Sequence, residues 1–251
     1  MRRLILVCLL LLSWLLVAGL LSSRAEEPFF TYSARVWSQY MLDSGLVTHR
    51  GAVFQDDFRF SVGRGVYATL RHSLGLDSMD LSSDTGDEIG VTVGRAGKSG
   101  AFAFDLGLSY LNLNEVSSLR APDVLQPFLG VSYPVAIEKG LRVAPYVRLE
   151  TPIPLGGAGK GVYAFVGIQT EFESRVLPLT ISQKMTVLYD SGALGAGSGL
   201  VGQYHLGAIW RLTKKITLEA PILRASFPLT RMTDERSRST GVVYGVGLIV
   251  P

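Results

Sequence analysis

The connections of this chain alternate in length, and that rhythm constrains its fold more than any motif does. From residue 26 onward no segment has a convincing helical period and none is a long uniform apolar run. About twelve segments instead alternate apolar with polar residues, from Tyr32–Met41, Ala52–Val62 and Val66–Leu74 to Leu200–Leu212, Ile216–Ala225 and Gly241–Val250. Alternation with period two marks a β-strand with two unlike faces, and each segment has the length of a tilted strand crossing a bilayer. Links after odd-numbered segments are long, among them Gly75–Asp87, Leu113–Asp123, Thr151–Gly161, Asp190–Gly199 and Ser226–Thr240. Links after even-numbered segments are short: Gly63–Gly65, Ala96–Gly100, Pro134–Gly140, Glu173–Val176 and Thr213–Lys215. A soluble meander has no reason to lengthen every second connection. A barrel of the outer-membrane type does, with short periplasmic turns, long outer loops and an even strand number. The expected fold is all-β, a transmembrane antiparallel up-and-down β-barrel of about twelve strands over residues 26–251.

The two faces agree with this. In the stretch FQDDFRFSVGRGVYATLRHS, Phe54, Phe58, Phe60 and Val62 share one face, and Gln55, Asp57, Arg59 and Ser61 the other. After the Gly63-Arg64-Gly65 turn the alternation resumes, as in a β-hairpin. Further on, Phe102, Phe104, Leu106, Leu108 and Tyr110 form one apolar face, and Leu206, Ala208, Trp210 and Leu212 another. The opposite faces carry Arg35, Asp57, Arg59, Arg71, Asp105, Arg142, Arg148, Glu150, Glu171, Lys184, His205, Arg211 and Glu219. A charge at mid-strand costs roughly 2–4 kcal/mol facing lipid, so these point to a wet lumen. Asp56 breaks the rule, and a bulge or a shifted phase would explain it. Aromatics near segment ends (Tyr40, Tyr110, Tyr133, Tyr189 and Trp210, with Tyr244 and Trp37 less clearly placed) suit girdles at the lipid boundaries, or simply the β-propensity of aromatic side chains.

The first residues say how such a chain reaches a membrane. Arg2 and Arg3, an apolar run from Leu4 to Leu21, and Ser23 and Ala25 at positions −3 and −1 read as a signal peptide over residues 1–25. An uncleaved membrane anchor is the alternative. Cys8 lies inside that apolar run, so lipidation is not expected and the mature chain has no cysteine and no disulfide. The leader holds three of the 24 basic residues and no acid, leaving 21 basic against 21 acidic residues. The basic balance of the full chain is a leader effect and gives no support to nucleic-acid binding.

The stretch from Tyr40 to Leu113, within residues 40–113, resembles the N-terminal part of the TorF-type putative porins, outer-membrane barrels of poorly defined function. The residues that carry the resemblance are Ser38-Gln39-Tyr40, Gly45, Ala52-Val53-Phe54-Gln55, Gly65-Val66-Tyr67-Ala68, Asp87-Glu88-Ile89-Gly90 and Asp105-Leu106-Gly107-Leu108-Ser109-Tyr110. One departure stands at the end of the chain. Tyr244, Val246, Leu248 and Val250 alternate, but Pro251 stands where such barrels commonly carry an aromatic, which bears on insertion efficiency.

A few residues have the types that chemistry would need. His72-Ser73 looks like a nucleophile pair, but strand neighbours point to opposite faces and no acid pattern nearby supplies an orienting group. His205 belongs to the lumen face, and His49 to a loop. The acidic stretch Asp77, Asp80, Asp84, Asp87 and Glu88 fits no EF-hand spacing and reads as a solvated loop. GGAGKG at 156–161 lacks the Walker spacing and a following helix. The lumen charges remain, with Arg35, Asp57, Arg59, Asp105, Lys184 and His205 as the candidate constriction. Hairpin register puts Arg35 roughly opposite Asp57, and Lys184 roughly opposite His205. Such charges either line a pore or pair and plug it.

The expected function is a porin-like channel in the bacterial outer membrane, passing small polar solutes or ions. It calls for no catalysis, cofactor or metal. Its partners are outer-membrane lipid, lipopolysaccharide and small solutes, not nucleic acid, and an oligomer is possible but not demanded. The alternative is a non-conducting barrel with a structural or surface-binding role. An outer-membrane lipid hydrolase and a soluble periplasmic barrel come behind.

Overall fold

The computed structural model describes residues 29–41, 47–49, 51–76, 88–113, 123–155, 160–193, 198–230 and 240–250. The leader with Cys8, Gly45, the acidic loop up to Asp87, residues 156–159 of the GGAGKG stretch and Pro251 lie outside the described residues.

Twelve long strands carry the fold: β1 Phe30–Trp37, β2 Val53–Gly63, β3 Val66–Gly75, β4 Glu88–Ser99, β5 Phe102–Leu113, β6 Asp123–Ser132, β7 Leu141–Glu150, β8 Tyr163–Glu173, β9 Leu179–Asp190, β10 Gly199–Arg211, β11 Thr217–Pro228 and β12 Gly241–Val250. Each pairs antiparallel with the next, and β1 pairs with β12, Tyr32 opposite Val250 and Trp37 opposite Gly245. The sheet is therefore a closed barrel. Closure gives every strand two hydrogen-bonded neighbours and removes the sticky edges an open sheet would present.

The strands follow the alternating segments to within a few residues. The first ends at Trp37, and Tyr40–Met41 pairs with Val47–His49 as a separate two-stranded piece. The link expected at Ala96–Gly100 is shorter, because Ala96 to Ser99 continue β4 opposite Phe102 to Asp105 of β5. Val135–Glu138 extends the next short link by pairing with the start of β7. The β2–β3 turn needs its composition. Gly63, Arg64 and Gly65 have φ of 94°, 50° and 76°, in the left-handed region that favours glycine. A Cβ on Gly65 would also stand 1.8 Å from the Ala96 carbonyl oxygen.

Outward residues are apolar around the circumference. Leu70, Leu106, Val147, Val166, Met185 and Val246 are all exposed. An apolar surface this continuous marks contact with something other than water. Tyr133, Tyr189 and Tyr244 join it near strand ends, whereas Tyr110, expected outside with them, is only 2 % exposed. Trp37 faces the interior, where its indole N–H donates to Gln55 Oε1 at 3.2 Å and it packs with Met41, Ile222 and Val243.

Asp56 sits where its parity puts it, on the outer wall. The β2–β3 register runs unbroken through Asp56, and shifts only between Ser61 and Gly63 at the turn. The irregularity that does change a face lies in β11. Its register to β12 shifts between Glu219 and Ile222, around Pro221, which has no N–H to give the ladder. Glu219 and, beyond the shift, Ile222 and Arg224 all line the interior.

Candidate functional site

The interior is a cavity of about 570 Å³, lined by side chains from β1 through β11. All six constriction candidates line it, Arg35, Asp57, Arg59, Asp105, Lys184 and His205, and so do Arg71, Arg148, Glu150 and Glu219. Arg142 and Glu171 face each other in register toward the short-turn end of β7 and β8, and Arg211 ends β10. These three are not among the residues lining the cavity.

The charges form two networks. In the first, Arg35 donates from Nε to Glu219 Oε2 at 2.7 Å and from Nη1 to Asp57 Oδ2 at 3.2 Å. Asp57 Oδ1 accepts from Arg71 Nε at 2.8 Å, so one carboxylate lies between two guanidinium groups. Arg35 is opposite Gln55 in register and meets Asp57 diagonally, two residues along β2. In the second, Arg148 pairs with Glu150 at 2.6 Å and with Asp105 at 3.5 Å. The Tyr67 hydroxyl donates to Asp105 Oδ1 at 2.8 Å, and the Gln126 amide donates to Glu150. A third feature carries no acid: Lys184, His205 and Arg224 are register partners on β9, β10 and β11, a row of basic side chains.

These ion pairs run along the wall. Arg35 reaches Glu219 over β12, where Gly247 is the register partner of both, and a Cβ on Gly247 would stand 2.6 Å from Arg35 Cγ. Arg148 reaches Asp105 over β6, where Gly130 is the partner of both. Each of these pairs joins residues on the same, adjacent or next-but-one strands, so none of them crosses the bore. The row of Lys184, His205 and Arg224 stands across the barrel from β3 to β5, which carry Arg71, Glu88 and Asp105.

Sequence reasoning gave Tyr67 no role in the lumen, and missed Arg224, Phe128 and Tyr146. All four line the cavity. Parity alone finds Tyr67 and Tyr146. Arg224 has the parity of the outer face until the β11 shift is known.

One polar pair of the outer wall joins β2 and β3. His72 Nδ1 lies 3.5 Å from Asp56 Oδ1, with side chains 42 % and 15 % exposed. Asp56 Oδ1 is buried and accepts no hydrogen bond. The expectation that no acid stands near His72 is thus corrected, since the adjacent strand supplies one. Ser73 faces inward, fully buried, and accepts from Gln55 Nε2 at 3.1 Å. The outward cross-strand pairs on either side of Asp56–His72 are Phe54–Leu74 and Phe58–Leu70, which bring no hydroxyl to the imidazole. Among the described residues no three His, Cys, Asp or Glu side chains gather as a metal-holding group.

No family model matches the chain, and no curated protein matches it by sequence. The likeness is to solved structures. A KdgM porin superposes with TM-score 0.55 at 12 % identity, covering 88 % of this chain and 98 % of its own. A NanC porin does so with TM-score 0.52 at 11 % identity, covering 88 % and 99 %. LpxR from Salmonella typhimurium follows with TM-score 0.51 at 8 % identity, covering 88 % and 99 %. At these identities the likeness is one of fold, and the fold of the two nearest-matching of these three is that of a porin.

Proposed function

We propose that the chain is an outer-membrane channel for the passive passage of small polar solutes or ions. One observation carries this reading. The ion pairs that join Arg35, Asp57, Arg71 and Glu219, and those that join Asp105, Arg148 and Glu150, run along the wall of a cavity of about 570 Å³, and none of them bridges the bore. A barrel plugged by its own charges would pair them across. The apolar outer wall supports placement in a bilayer, where outward leucine, valine and phenylalanine meet acyl chains. The porin-like fold and the TorF-type resemblance over residues 40–113 point the same way, and the leader over residues 1–25 would supply export. Lipopolysaccharide and outer-membrane lipid are then the surroundings of the outer wall. The test is single-channel recording from the refolded mature chain in a planar bilayer. Stepwise conductance is expected. Silence from folded, inserted protein would refute the channel and leave the non-conducting barrel.

A further inference from the structure

We propose that Arg59 is an anion-binding residue of the lumen, positioned by a glycine-backed aromatic ring to take the carboxylate of a small solute. This rests on the channel reading for its setting and for the first of its two tests, but not for the second.

Four lumen cations lie on aromatic rings: Arg59 on Tyr67 at 4.0 Å, Arg148 on Phe128 at 4.3 Å, Lys184 on Tyr146 at 4.7 Å and Arg224 on Trp37 at 5.8 Å from the ring centre. Beneath each ring is a glycine of a neighbouring strand. A Cβ on Gly94 would stand 2.7 Å from Tyr67 Cζ, on Gly107 2.7 Å from Phe128 Cζ, on Gly167 2.8 Å from Tyr146 Cε1 and on Gly245 2.7 Å from Trp37 Cε3. Any other residue would lift the ring off the wall. Glycine lets it lie close, and a cation over the ring face is attracted by the ring quadrupole. The result is a layered stack of glycine, ring and cation, which holds a positive charge near the wall and leaves the bore clear.

The four cations differ in what else they touch. Arg148 is shared between Asp105 and Glu150, Arg224 donates to the Met41 carbonyl at 3.4 Å, and Lys184 has further partners. Arg59 makes no ion pair with any described residue, and it is exposed to the cavity. The acids around it are engaged. Both oxygens of Asp57 are held by Arg35 and Arg71, while those of Asp105 face Tyr67 and Arg148. Its register row continues through Thr69, Thr92, Ser109 and Gln126, all neutral. A guanidinium held by its face keeps its edge donors for a ligand, and that planar fork matches a carboxylate with two parallel hydrogen bonds. Tyr67 is the positioning residue, fixed from below by Gly94 and at its hydroxyl by Asp105.

Citrate is a suitable probe. Added to one side of a bilayer holding the mature channel, it is expected to reduce the chloride current in a concentration-dependent way. Arg59→Gln should weaken that effect about tenfold or more, the value of a charged hydrogen bond. Arg71→Gln removes the same charge from an ion-paired group and should weaken it less than about threefold. Arg59→Lys keeps the charge but loses the fork, and should fall between. Equal weakening by the Arg59 and Arg71 variants, or no effect of Arg59→Gln, overturns the proposal. A second readout does not need conduction. In micelles, the arginine Nε–H resonance that disappears in Arg59→Gln should move with citrate, and its failure to move overturns the proposal. A moving resonance in a silent barrel would refute the channel and keep the site.

Discussion

Two consecutive cross-strand pairs on one hairpin are built from nearly the same residues and meet opposite media. Asp56 faces His72 on the outer wall, and Asp57 faces Arg71 inside. The inner carboxylate is saturated by Arg35, Arg71 and, at the 3.5 Å limit, the Ser33 hydroxyl. The outer carboxylate has one oxygen without a hydrogen bond and one basic neighbour, His72, at 3.5 Å. Inside, water and further polar residues make a charge inexpensive, and an arginine that is always ionised is affordable. Outside, a single histidine stands opposite the acid, and apolar pairs flank both. Strand parity decides which wall a side chain joins, and the medium on that side decides how many partners a polar side chain finds there.

Substitutions in this hairpin can break the comparison, and the largest effect is expected from moving a charge across the wall. Leu70→Arg, outward and opposite Phe58, should destabilise the barrel by roughly 2–4 kcal/mol. Thr69→Glu, one residue away and facing inward beside Arg59, should change stability by less than about 1 kcal/mol. Denaturant unfolding in phospholipid vesicles reads both, and equal costs would abolish the distinction between the walls. Next comes Asp57→Ala, expected to cost roughly 1–3 kcal/mol by leaving two guanidinium groups without their shared acceptor. Asp56→Ala should cost less than about 1 kcal/mol in the same titration, because one carboxylate oxygen has no hydrogen bond to lose and the change removes a buried polar group.

Packing sharpens the inner side. A Cβ on Gly107 would stand 2.4 Å from the Val93 carbonyl oxygen, whereas one on Gly207 would meet nothing within 4 Å. Gly107→Ala should therefore cost about 1–3 kcal/mol, and Gly207→Ala less than about 0.5 kcal/mol. The smallest effect has the opposite sign. Replacing the outer pair together, Asp56→Leu with His72→Leu, should be neutral or stabilising by about 1 kcal/mol in a thermal scan. A large loss would mean that the outer pair holds the fold as the inner one does.

Most of the architecture was legible in the residues because period two and loop rhythm are local signals. Phe54, Phe58 and Phe60 declared one wall and Gln55, Asp57 and Arg59 the other, and both held in the structure. The hairpin turn also fixes register, so Asp56 opposite His72 could have been found by counting back from Gly63-Arg64-Gly65. Arg224 could not, since its inward aim depends on the β11 shift, and parity counted from Glu219 sends it outward. Trp37 is less clearly placed because an aromatic near a strand end looks like a boundary residue, although its spacing from Arg35 puts it on the lumen face, where its ring lies over Gly245 of β12. The glycine-backed stacks are invisible to any local pattern, because each joins residues of different strands.

The most direct test compares two labels one residue apart. The only cysteine of the chain is Cys8, so a cysteine introduced into a chain that begins at residue 26 is a unique attachment point. A nitroxide at Leu70→Cys in vesicles should collide freely with oxygen, which concentrates in hydrocarbon, and scarcely with a water-soluble nickel chelate. A nitroxide at Thr69→Cys should show the reverse. Equal access of the chelate to both positions would contradict an outer wall in lipid around a watery lumen.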